Sequence, residues 1–199
     1  MKIIRPIFLV LCLCLAVSAA RATTVIPPTF DELVGQAELI FQGTVTDVKS
    51  QWAGEGGQRH IVSYVTVQVE DALKGNPGAT FTMRMLGGTV DDETMEVSDS
   101  PKFKVGDRDI LFVENNGKQF IPLVGIMHGR FHVQKAAPGG PEIVLTNEGH
   151  AITDLAQLGK SDDGHAVSAG TAPATTDAPA LGSAEFKAAI RAKLAHAGN

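Results

Sequence analysis

The sequence predicts an all-β domain, a small closed or partly open OB-like β-barrel, followed by a disordered linker and a short C-terminal helix. Three observations carry this. Apolar and polar residues alternate at period two through Ala37–Ser50, Ile61–Glu70 and Ala79–Leu86. Clusters of Gly, Pro, Asn and Asp separate these runs at short intervals. Gly43, inside the first run, marks a bend or bulge of the kind that curls a sheet. Five or six short antiparallel strands with such a bend make a small barrel, and the OB-fold is the commonest closed solution at this size.

Taken in order, the chain opens with Lys2 and Arg5, an apolar run from Ile7 to Val17, and Ala20-Arg21-Ala22. This is the pattern of a secretory signal peptide over residues 1–22, with cleavage expected after Ala22, and the run is too short to span a membrane as a helix. Both cysteines, Cys12 and Cys14, lie inside it, so the mature chain is expected to have no disulfides. In the first strand, Leu39, Phe41, Gly43 and Val45 share one face. A polar link from Gln51 to Gln58 leads to the second strand, where Ile61, Ser63, Val65, Val67 and Val69 alternate with polar neighbours. Asp71–Gly78 is a turn, and the third strand carries Phe81, Met83 and Met85 on one side. Thr89–Gly106 reads as an acidic excursion with a short strand around Met95 to Val97. Asp109–Asn115 and Lys118–Leu123 flank Asn116-Gly117, which predicts a two-residue type I′ hairpin. Gly129–Gln134 and Glu142–Thr146 complete the strands, giving a barrel domain over residues 23–158.

From Gly159 to Gly182 the chain is Ala, Thr, Ser, Gly, Pro and Asp with almost no large apolar residue, the composition of a disordered linker over 159–182. Ser183 then offers an N-cap for a helix, Ala184 to Ala195, with Phe186, Ile190 and Leu194 on one stripe. Residues 183–199 are expected to be a tail that docks or frays, and the barrel to fold without it.

Composition narrows function. The net charge is −5, and loss of Lys2, Arg5 and Arg21 with the signal peptide takes it to −8, which argues against nucleic acid and anionic membrane surfaces as partners. No nucleophile elbow, zinc-protease motif, phosphate loop or dinucleotide fingerprint is present, so no catalytic residue, cofactor or metal is expected. His128 and His132 are four residues apart, but on the strand expected there they stand roughly 13 Å from each other, too far for one metal. The acidic runs Asp91-Asp92-Glu93 and Asp162-Asp163 lack the alternating ligands of a calcium loop.

The stretch Thr23-Thr24-Val25-Ile26-Pro27-Pro28, then Glu38-Leu39-Ile40-Phe41-Gln42-Gly43 ten residues after Pro28, and later Asp71-Ala72-Leu73-Lys74-Gly75, resembles the netrin-like barrel of tissue inhibitors of metalloproteinases. That family begins Cys-x-Cys-x-Pro-Pro and places a D-L-V-I-R-A-like strand at the same distance. A V-x-K-x-x-K-G-like segment closes its second strand. The likeness covers about residues 23 to 135, and Thr23 and Val25 stand where the family has cysteines. It implies an exported inhibitor or ligand of a secreted zinc metalloprotease. The α-amino group and carbonyl of Thr23 would meet the zinc, Thr24 would enter the specificity pocket, and Val25, Ile26, Pro27 and Pro28 would complete the contact. The alternative is a structural or adhesion module of the cell envelope with no protease partner.

Overall fold

Strand β1, Leu39–Ala53, organises the molecule because it pairs on both sides. The computed structural model describes residues 26–160 and 179–197, within which the chain runs α1 (Phe30–Gln36), β1, β2 (His60–Lys74), β3 (Thr80–Leu86), β4 (Gly88–Val90), β5 (Glu93–Met95), β6 (Arg108–Val113), β7 (Arg130–Lys135), β8 (Glu142–Thr146) and α2 (Ser183–Ala197). Six strands form one antiparallel sheet in the order β3-β2-β1-β6-β7-β8, and β4 and β5 form a separate hairpin. The sheet is open, so the closed-barrel form of the prediction does not hold. No helix among the described residues is long and apolar enough to cross a membrane.

Two cores lie on the two faces of this sheet. On one face Phe41, Val45, Val65, Val67, Met83, Met85, Leu111 and Val113 pack together, the faces that period-two alternation predicts for β1 and β3. Gly43 lies at a register shift between β1 and β2, where an added Cβ would fall 2.5 Å from the Gln68 carbonyl oxygen, so the expected bend is present and its cause is close backbone approach. On the other face Ile40, Ile110, Phe112, Phe131, Val133 and Val144 meet Leu33 and Val34 of α1 and Phe186 and Ile190 of α2.

The terminal helix docks, and its apolar stripe enters this second core. Phe186 is fully buried, with its ring 5.1 Å from that of Phe131 and edge-on to Phe30 and Phe112. Lys187 and Arg191 both pair with Asp71, and Lys193 pairs with Asp31. Of the expected linker, residues 161–178 lie outside the described residues. Its last residues are already structured: Leu181 N–H donates to the Ile152 carbonyl, and Gly182 bridges to Ile143.

The Asn116-Gly117 hairpin is corrected. Strand β6 ends at Val113, and only one bridge, Val113 to Leu123, joins it to the returning chain. Residues 114–122 instead form a wide loop, because Asn116 is used elsewhere. Its side-chain amide accepts from the Arg84 backbone N–H at 3.1 Å and donates to the Thr82 carbonyl at 2.9 Å. Leu86 N–H adds a bond to the Phe120 carbonyl. The loop thus covers the open edge of β3, which a bare strand would leave available for pairing. Two smaller differences follow the same logic of extended pairing. Strand β1 runs on through Gln51, Trp52 and Ala53, and the short strand expected around Met95 to Val97 lies two residues earlier, at Glu93–Met95, as the second arm of the β4–β5 hairpin.

Candidate functional site

Of the six residues expected to form the contact segment, Thr23, Thr24 and Val25 lie outside the described residues. The other three are placed. Pro28 is buried, Pro27 is half-buried, and Ile26 is 78% exposed. Pro28 sits on the turn at Gly125, whose φ is +61°; a Cβ there would lie 2.9 Å from Pro28 Cδ and 3.0 Å from Cγ. Only glycine meets both demands, the left-handed backbone and the absent side chain. The next residue, Ile126, also has φ +62°, an unfavourable region for a β-branched side chain, so the seat under Pro28 is held by strained backbone. His128 closes this turn; burial pushes its pKa below the ordinary imidazole value, against the weaker opposing influence of Glu148 and Asp99, which favours the neutral ring.

Immediately after Pro28 the chain enters α1 through a capping box. Thr29 N–H donates to Glu32 Oε2 at 2.8 Å, and Glu32 N–H donates to Thr29 Oγ1 at 3.3 Å. The Thr29 backbone N–H, and then its hydroxyl, hold the Glu32 carboxyl below the usual range. At the other end of α1, Lys74 Nζ donates to the Val34 and Gly35 carbonyls, closing the helix onto β2. The root of the N-terminal segment is thus fixed by a proline seat, a capping box and a lysine, with no cysteine involved.

A second cluster lies on the face of β6 and β7 that carries Leu111 and Val113. Asp109 and His132 are directly opposed across the two strands, and Arg130 is two residues from His132 on the same face. Asp109 Oδ1 lies 2.7 Å from His132 Nδ1, and Arg130 Nε donates to Asp109 Oδ2 at 3.0 Å. Arg130 also pairs with Asp107 at 2.6 Å, donates to the Lys102 carbonyl at 2.9 Å, and stacks 4.0 Å over the Phe103 ring. Asp109 and Arg130 are buried, and His132 is partly exposed. The arrangement resembles an oriented Asp–His pair, but every nitrogen of Arg130 and both oxygens of Asp109 are engaged within the cluster, so it reads as a buried charge network joining the 102–107 turn to the sheet. Sequence reasoning placed His132 on a strand and missed the network. The available signal was the Arg130–His132 spacing on one strand face. His128, expected on the same strand, belongs instead to a 3-10 turn, Ile126–Gly129.

A third feature is a cavity of about 330 Å³ between the far ends of β1–β3 and the 94–103 segment, lined by Val48, Ser50, Ser63, Met85, Met95 and Phe103 among others. Ser50 and Ser63 hydroxyls meet at 2.8 Å in its wall, and Ser63 donates to the Gly87 carbonyl. No group of three or more His, Cys, Asp or Glu side chains among the described residues could hold a metal. Comparison with protein-family models, curated proteins and solved structures gives no match.

Proposed function

We propose that this chain is an exported, non-enzymatic protein-binding domain of OB-like, netrin-like kind whose N-terminal segment, Thr23 to Pro28, is the contact element. The observation that carries the reading is the contrast between Pro28, buried on the Gly125 turn, and Ile26, two residues earlier and 78% exposed. A segment whose root at Pro28 is fixed and whose Ile26 side chain is exposed loses less conformational freedom when a partner binds it, and that pre-organisation raises affinity. In the inhibitor family that the sequence resembles, disulfides do this anchoring; here the Pro28 seat and the capping box take the place of those bonds.

The partner class we assign is a secreted zinc metalloprotease, with the Thr23 amine and carbonyl on the metal and the Thr24 side chain in the specificity pocket. Such an amine must be neutral to bind metal, so affinity falls as pH drops through an amino-terminal pKa of roughly 7.7–8. The test compares three forms against a panel of matrix-type zinc endopeptidases: the chain beginning at Thr23, a form extended by one N-terminal residue, and Thr24→Gly. Inhibition by the first, abolished by the extension and altered by Thr24→Gly, is the expected result. Equal behaviour of all three, or inhibition by none, removes the protease and leaves a structural or adhesion module of the cell envelope.

A further inference from the structure

We infer that the free edge of β1 is a dimerisation edge, on which a second copy of this chain pairs antiparallel about Ser50. Strand β1 is bonded to β6 only from Leu39 to Thr44, and the last contacts on that side are Val45 N–H to the Asp107 carbonyl and Gly106 N–H to the Val45 carbonyl. Beyond a register shift at Thr46, residues Asp47 to Ala53 pair regularly with Thr66 to His60 of β2 and, among the described residues, with no strand on their other side. Along these seven residues, every second one turns its backbone donor and acceptor to the open side, the template for strand addition.

The sequence of this edge selects its own register. A two-fold axis normal to the sheet requires a residue to oppose its own copy, because opposed side chains share a face. Centring on Val48 would set Gln51 and the residues after it against the part of the partner's β1 already occupied by the 104–107 turn and β6. Centring on Lys49 would oppose two ammonium groups, and centring on Gln51 would shorten the overlap to five residues. Centring on Ser50 uses the whole regular stretch: Asp47 meets Ala53 of the second copy, Val48 meets Trp52, and Lys49 meets Gln51. The Val48–Trp52 contact occurs twice and is of the aromatic to β-branched kind that stabilises sheets. Val48 and Ser50 line the 330 Å³ cavity, so the indole arriving opposite Val48 comes to its mouth. Val105, 66% exposed, stands on the turn where the β1–β6 ladder stops, beside the start of the free edge. The product is a continuous six-strand sheet in the order β3-β2-β1-β1-β2-β3.

Sedimentation of the secreted chain between about 1 μM and 1 mM reads the association, as suits an interface at the small end of the specific range. Lys49 and Gln51 are both exposed, so charge changes there leave the fold intact. Gln51→Lys sets a lysine against Lys49 of the other copy twice and is expected to weaken dimerisation about 2- to 30-fold, whereas Gln51→Glu tightens it by a similar factor. Combining Lys49→Glu with Gln51→Lys restores it. The one tryptophan of the chain, Trp52, reports the same transition by its emission. A protein that stays monomeric up to about 1 mM, or a dimer whose affinity is the same in Gln51→Lys and Gln51→Glu, overturns the assignment.

Discussion

Arg130 shares the polar face of its strand with His132 and Gln134 yet is almost fully buried, and it is tolerated because its partners are fixed around it. Asp109, Asp107, the Lys102 carbonyl and the Phe103 ring together take up its charge, its donors and its flat face. Removing one side of a buried pair leaves the other uncompensated, so Arg130→Met is expected to cost about 3–5 kcal/mol in urea unfolding. Replacing Asp109 by Leu together with Arg130→Met should recover most of that loss, because both charges then leave the core. The sequence places Asp109, Arg130 and His132 on strands, yet nothing local reveals that β6 and β7 oppose them, since the partners are 21 and 23 residues apart. The Pro28 seat is legible in the same partial way. Pro27-Pro28 is visible as a motif, whereas the Gly125 turn beneath it depends on a contact between distant parts of the chain.

At the scale of elements, the two helices are the informative cases. Helix α1 has a readable signal, Thr29 followed three residues later by Glu32, which is a capping box in sequence as in structure. For α2 the stripe Phe186, Ile190 and Leu194 is visible, but not the surface it covers. The unbroken apolar run Ile110-Leu111-Phe112-Val113 carries that information, because a strand buried on both faces loses its alternation. Phe186 fills space among Phe30, Phe112 and Phe131, so Phe186→Ala is expected to destabilise the protein by about 3–5 kcal/mol. Truncation after Leu158, which removes Ile190 as well, should lower the thermal midpoint further and expose apolar surface to a dye such as ANS. An unchanged midpoint on truncation would mean that the second core closes without α2.

For the molecule as a whole, the helix-bearing face is held by carboxylates whose pKa values the fold depresses. Glu70 is partly desolvated, which raises its pKa, but Thr44, Arg108 and Gln42 outweigh that and hold it low. Lys187 and Arg191 likewise overcome the desolvation of Asp71. Arg108, and less strongly the Ser183 hydroxyl, hold Glu142 low. A depressed folded pKa contributes stability that is present above the ordinary carboxylate value and lost as pH falls through the folded one. The loss therefore begins below the ordinary values of 4.5 for glutamate and 3.8 for aspartate. Because Asp71 and Glu142 both contact α2, amide exchange in α2 should rise before that of β1 and β2 on acidification, and earlier at high salt. Simultaneous loss of protection in helix and sheet would contradict this order.

The loop that shields the β3 edge also carries a chemical clock. Asn116 is followed by Gly117, and an asparagine with no side chain after it is the residue most open to attack by its neighbour's backbone nitrogen, which expels ammonia to form a succinimide that water opens to aspartate or isoaspartate. In the folded protein both ends of the Asn116 amide are engaged by Arg84 and Thr82, so ageing should be slow while that loop stays docked. Once it occurs it is self-reinforcing: a carboxylate accepts but cannot donate, so it faces the Thr82 carbonyl with a like partial charge and releases the strand edge that the amide had covered. The expected mark of this ageing is a mass gain at Asn116 that accompanies aggregation.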